Sequence, residues 1–290
     1  MSDRPARAVA AAVAVARAHG LRADDPVVLH DGVNLVTWLR PAPVVARVAT
    51  LTPLLRPAIG RPFAREVELA RALAATGAAV VAPSELLPPG PHEHDGLTLS
   101  FWEHVDVLPE APTAAQAGRS LAELHAALAG IRPRWDGAAL DTPFDDLAAF
   151  AAHGAQLGAD PPLLREVPAL ACALRARVAG PDTTLHGDAH PGNLLATRAG
   201  LRWTDLEDTS RGPRAWDLAC LRSTGRLDGR AALDAMPDPV SDEELAPFRW
   251  LRLLHAGAWW FVHAARVPEH LPEARTRLAA AVAEVSAGLR

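Results

Sequence analysis

The chain contains no lysine; its 29 basic residues are all arginines. We read this as a habit of base composition rather than a mechanism, but it obliges any fixed positive charge to be a guanidinium. Cysteine is almost absent too. Cys172 and Cys220 stand alone in apolar, helix-like sequence, which favours packing thiols in a reducing cytosol over a disulfide. No block rich in basic residues occurs and the formal net charge is −5, so a nucleic-acid partner has no electrostatic footprint. Uninterrupted hydrophobic runs are missing as well. Residues 245–265 are rich in apolar side chains, but Arg249, Arg252, His255 and His263 break the run, which falls short of a membrane span. Residues 8–16 follow Arg4 and Arg7 as in a secretory leader. They are alanine and valine, however, and Arg17 and His19 stand where a small-residue cleavage site would sit. The expectation is an amphipathic first helix in a cytoplasmic protein with no membrane segment. Internal repeats and long low-complexity linkers are also lacking. What remains is an ordinary globular balance, 49% hydrophobic and 22% charged. At 290 residues the chain suffices for two domains, or one large one, with a real core.

The stretch most informative about function is LHGDAHPGNLLAT at residues 185–197, followed by WTDLED at 203–208. Gly187, Pro191 and Gly192 form turns readily, and a lone HGD would be no more than a polar turn. Here the turn carries a carboxylate and an amide, and a second pair of acids follows. That is the equipment of phosphoryl transfer, which needs an oriented nucleophile, a divalent cation on the phosphates and fixed positive charge around them. Asp188 is placed to orient an acceptor hydroxyl and take its proton. Asn193 offers a hard amide oxygen, and Asp205 and Glu207 offer carboxylates, to Mg2+. His186 and His190 flank Asp188, but no matching His/Cys pair at ligand spacing completes a zinc site.

HGDAHPGN at 186–193, a short strand, the acids at 205–207 and GPRAWDLA at 212–219 resemble the aminoglycoside phosphotransferase and choline kinase-like family. That family shares the two-lobed architecture of protein kinases. The resemblance implies that Asp188 is the catalytic aspartate and that Asn193 and Asp205 are the Mg2+ ligands. Glu207 is the less constant acid of the set. Asp217, with His186, is implied to support the catalytic loop. The nucleotide implied is ATP, and GTP is not separable from it by sequence.

Read along the chain, 27–30, 35–39 and 44–48 are strand-like runs separated by turns at 31–32 and 41–43, which suggests a small antiparallel sheet. The turn HDGVN, ending at Asn34, falls where kinase-like folds cover the nucleotide phosphates, although a plain hairpin turn explains it equally well. On the third strand, Arg47 stands where the family places a basic phosphate-binding residue, and arginine can contact phosphate oxygens through two N–H groups. Residues 64–76 have a helical pattern. In it Glu66 resembles the helix glutamate that pairs with the family's phosphate-binding basic residue, with Glu68 the competing choice. Residues 80–81 and 97–102 read as further strands joined by the Pro/Gly-rich PPGPHEHDG. The segment 100–105, with Trp102, Glu103 and His104, resembles the hinge whose backbone meets the adenine. Thr113 and Gln116 then form a capping-box signature. Helices are expected at 145–153, 163–178, 243–265 and 273–289. The class is α+β, a two-lobed protein-kinase-like fold. A small β-rich nucleotide lobe spans 1–105, hinge included, and a larger, mainly helical catalytic and acceptor lobe spans 106–290.

The acceptor pocket implied by the resemblance lies between the catalytic loop and the C-terminal helices. Its candidates are Asp145, Asp146, His255, Trp259 and Trp260. A Trp pair with carboxylates could hold a cation such as choline or an aminoglycoside, or the tryptophans could simply pack a core. The expected activity is ATP-dependent transfer of the γ-phosphate to a hydroxyl of a small molecule. The rival readings are a catalytically silent nucleotide-binding pseudokinase and an antibiotic-sequestering binding protein. The acceptor and the oligomeric state stay open at this level.

Overall fold

The computed structural model describes residues 3–290 except Arg134 and Asp136. The first helix, α1 (Arg4–Ala18), is followed by β1 (Ala23–Asp31), β2 (Asn34–Pro41), β3 (Val44–Ala49), α2 (Gly60–Ala75), β4 (His92–His94) and β5 (Leu97–Glu103). The strands form one antiparallel sheet in the order β1-β2-β3-β5-β4. Alternation along β2, β3 and β5 sends Leu35, Leu39, Val44, Ala46, Val48, Leu99 and Phe101 to one face. There they bury against Ala8, Ala12, Val15 and Ala16 of α1.

Two local expectations need correction here. Residues 80–81 form no strand; Val80 makes a single bridge to Trp203. The PPGPHEHDG connection is not plain loop, because β4 lies inside it. Ahead of β4, the chain runs beside β5 without a regular ladder, through Ser84 N to Phe101 O and Phe101 N to Pro89 O. Pro83, Pro88, Pro89 and Pro91 have no N–H to donate, which is why a ladder fails there.

The helical lobe runs α3 (Ala114–Ala129), α4 (Asp141–His153), α5 (Pro161–Arg175), β6 (Thr183–Thr184), β7 (Leu194–Thr197), β8 (Gly200–Trp203), β9 (Arg211–Gly212), α6 (Ala215–Arg222), α7 (Gly229–Asp234), α8 (Asp242–Arg266) and α9 (Leu271–Leu289). Thr113 caps α3 in a complete capping box with Gln116. Two helices lay outside the sequence expectation, α6 and α7. In α6 the six residues from Trp216 to Leu221 are all buried, so no apolar stripe distinguishes one face. Both cysteines are free, but only Cys220 packs; Cys172 lies on the exposed side of α5. Among the described residues no helix is long and apolar enough to cross a membrane.

Candidate active site

The loop carrying Asp188 is held by a two-stranded anchor and a buried acid. β6 pairs with β9, and Leu185 N donates to Ser210 O across the adjoining step. The fully buried Asp217 of α6 accepts from His186 N and Gly187 N, both at 2.9 Å, and from His125 Nε2 at 3.0 Å. Trp216 Nε1 adds a bond to Gly187 O at 2.6 Å. Gly187 has φ +93°, and a Cβ there would meet Asp208 O at 1.9 Å, so only glycine lets the two segments approach. Burial depresses the pKa of His186 and keeps its imidazole neutral. Its Nδ1 can then accept from Asp188 N (3.3 Å) while Nε2–H donates to Thr204 O (3.1 Å).

Asp188 emerges from this frame with both oxygens in ionic or polar company. Oδ1 lies 2.6 Å from Arg252 Nη2, and Oδ2 lies 3.3 Å from His190 Nε2. Burial pushes its carboxyl up, but Arg252 and then His190 overcome that and hold it well below the usual carboxylate range. Asn193 donates Nδ2 to Asp188 O at 3.0 Å, which leaves its amide oxygen to offer elsewhere. Thr204 N donates to Asn193 O and so ties the loop to the segment bearing Asp205.

The sheet meets the second motif through Arg47. Its guanidinium pairs with Glu66 and Asp205, lies 3.0 Å from Glu207 Oε2, and stacks over Phe63 at 4.6 Å. Glu66 is buried and its Oε1 accepts from Leu206 N at 3.0 Å. Glu68 instead faces outward, receiving Trp135 Nε1. Asp205 takes φ +63°, a left-handed conformation that aspartate tolerates, and its side chain is 39% exposed, the open carboxylate of the group. Glu207 is closed in: Asn34 Nδ2 donates to it at 2.8 Å, and Thr52 holds Asn34 in turn. Burial, with Asp205 close by, pushes the Glu207 carboxyl up to about 7 against the pull of Arg47. Asn34 therefore bridges the two lobes through Glu207.

In the hinge-like segment, Glu103 N donates to Ala82 O and His104 N to Pro43 O. Trp102 Nε1 bonds Ser100, and the His104 ring stacks on Trp38 at 3.9 Å. The amides of Glu103 and His104 are thus committed within the protein, and an adenine here would have to meet other groups of the segment.

A cleft of about 350 Å³ opens between the acids and α8, lined by Asp188, Asp205, Glu207 and Asp208 on one side and by Arg252, His255, Trp259, Trp260 and His263 on the other. Asp145 is not part of it: it lies on the exposed face of α4, one position from Asp146, which points inward. Asp146 lies behind the wall, engaged by Arg56 Nε (2.8 Å) and Nη2 (2.6 Å), His255 Nε2 (2.8 Å) and Trp259 Nε1 (2.9 Å). Arg56, Asp208 and Arg252 escaped the sequence reading. The available signal was a charge set in apolar surroundings: LLRPA for Arg56, and the same interruption of α8 that argued against a membrane span for Arg252.

Among the described residues no cluster of three or more His, Cys, Asp or Glu side chains could hold a metal by itself. Asn193 with Asp205 is a partial oxygen set of the kind Mg2+ accepts, since Mg2+ keeps waters and takes phosphate oxygens for its other positions.

A β-rich lobe and a helical lobe that meet at this loop, acid pair and sheet arginine define the class of protein, a protein-kinase-like fold. Residues 35–238 match the model of the phosphotransferase enzyme family that includes the aminoglycoside phosphotransferases, and the chain belongs to that family. Solved structures share the fold at low identity. A choline kinase, LicA from Streptococcus pneumoniae, superposes with a TM-score of 0.61 at 17% identity, covering 95% of this chain and 98% of that one. Amicoumacin kinase hAmiN, solved with AMP-PNP, Ca2+ and Ami, gives 0.66 at 13% identity, with 94% and 92% covered. Aminoglycoside 2'-phosphotransferase-IIIa with GDP gives 0.62 at 14%, with 98% and 99% covered. Comparison of the sequence with curated proteins finds no match.

Proposed function

We propose that the chain is an ATP-dependent phosphotransferase that moves the γ-phosphate to a hydroxyl of a small molecule, with residues 1–105 forming the nucleotide lobe and 106–290 the catalytic and acceptor lobe. The observation that supports this best is that Asp188 and Asp205 line one cleft, with Asn193 bonded to the backbone of Asp188 and Arg47 of the sheet paired with Asp205. Arg47, fixed by Glu66 and Phe63, would meet the nucleotide phosphates. Asn193 and Asp205 would hold Mg2+, which when bound bridges phosphate oxygens and offsets their charge.

Asp188 stays ionised at neutral pH. Its Oδ1 is buried beside Arg252 without an aligned hydrogen bond, so a lone pair remains for an acceptor O–H. A carboxylate held so low is a weak base. It orients the hydroxyl first and receives the proton late, once bonding to phosphorus has acidified it, which suits a loose transition state.

Asp188→Asn should lower ADP release by ~10²–10⁴-fold while nucleotide binding persists; unchanged turnover refutes the assignment. Asp205→Ala should abolish the Mg2+-dependent part of nucleotide binding, read as loss of the Mg2+-dependent rise in melting temperature.

A further inference from the structure

We propose that the acceptor is an uncharged hydroxyl compound rather than an amine; the inference rests on the phosphotransferase reading above. An ammonium group is recognised by a carboxylate without another partner or by an open aromatic face. In this cleft Asp188 has Arg252 at 2.6 Å, Asp208 has Arg56 at 2.5 Å, and Glu207 has Arg47 at 3.0 Å. Asp205, the open carboxylate, would be occupied as a Mg2+ ligand. Behind the wall, Asp146 is engaged by Arg56, His255 and Trp259.

The indole faces are taken in the same way. The Arg56 guanidinium lies over Trp259 at 4.9 Å and that of Arg277 over Trp260 at 4.2 Å. A second cation on the opposite face would meet a like charge through the ring. The remaining charge on the α8 wall is Arg252 itself, which repels an amine approaching Asp188. An anion fares no better, because Arg252, the cation of the α8 wall, is already committed to Asp188.

Histidines fill the rest of that wall. His255 donates to Asp146 through Nε2, and its Nδ1 lies 3.4 Å from Arg252 Nη1. The His263 ring is kept neutral by burial and by Arg266. With Val33, Ala256 and the indoles, these groups offer apolar surface and weak hydrogen-bonding partners, suited to a ring bearing hydroxyls.

The test compares matched acceptors in an ADP-release assay with MgATP: glucose against glucosamine, propane-1,2-diol against 1-amino-2-propanol, and a pool of inositols and methyl pentosides against pools of choline, ethanolamine and kanamycin and of hydroxy acids. In parallel, calorimetry on the MgADP-loaded protein titrates choline and kanamycin. Turnover of an uncharged compound at least about tenfold faster than of every amine and acid, with no saturable heat from either cation, is the expected result. Faster turnover of an amine or hydroxy acid, or a Kd below about 1 mM for either cation, overturns the class and leaves the phosphotransferase reading standing. Silence from every acceptor overturns that reading, and the acceptor class falls with it.

Discussion

Glu207 sits between Arg47 and Arg56 on one hand and Asp205 and Asp208 on the other, and its titration follows from that company. Its carboxyl is raised from an ordinary 4.5 to about 7. Between those values the folded chain binds more protons at this site than the unfolded chain does. The site's contribution is therefore full below about 4.5 and is lost as pH rises through about 7. Glutamine removes the titration. The melting temperature of the parent minus that of Glu207→Gln should fall between pH 5 and pH 8 in scanning calorimetry; a difference that grows with pH would contradict the assignment. At this scale motif spacing singled out Asp188, Asn193 and Asp205, and the fold brings Asp188 and Asp205 to one cleft with Asn193 bonded to the Asp188 backbone. The sequence was not legible for the choice of Asp146 over Asp145, adjacent carboxylates that only the rotation of α4 separates.

The loop around Asp188 owes its shape to α6, whose single buried acid gathers two backbone amides and a histidine. Gly187 is the point where that loop passes under Asp208. Gly187→Ala would combine a disfavoured φ with a backbone clash at 1.9 Å, so the loop or its neighbour must shift. A loss of order 1–3 kcal/mol or more in urea unfolding is expected, with turnover falling as the loop moves. An alanine variant with parental stability and turnover would refute this. Elements whose chemistry is local were readable, such as the α3 cap at Thr113 and the alternating strands β2 and β3. Those defined by surroundings were not: α6 is buried on all sides, and β4 exists because β5 lies beside it.

At the scale of the molecule, Arg56 acts as a clamp. It leaves the segment after β3 and reaches Asp146, 90 positions away, and Asp208, 152 positions away, in the helical lobe. Replacing it by alanine would leave two buried carboxylates without their cation, a loss of about 3–5 kcal/mol. Chemical denaturation measures this directly, and a change under about 1 kcal/mol would mean that the clamp carries little of the contact between lobes. Arg47 and Asn34 make parallel links, to Asp205 and Glu207, so the sheet is fastened to the acids that flank the cleft.

The sequence by itself determined the chemistry-bearing groups. The motifs at 186–193, 205–207 and 212–219 are short, and turn-forming glycines and prolines hold their residues at fixed separations whatever surrounds them. It also determined the two-part division into strands and helices, because periodicity is a local property. Tertiary structure alone decided which partners those groups keep: Glu66 rather than Glu68 for Arg47, Arg252 for Asp188, and an arginine over one face of each indole of the cleft wall. Those pairings join residues on separate elements, far enough apart in the chain that local periodicity says nothing about them. They depend on burial, which makes an unpaired charge too costly to leave and so forces each one onto whatever opposite charge the fold brings near.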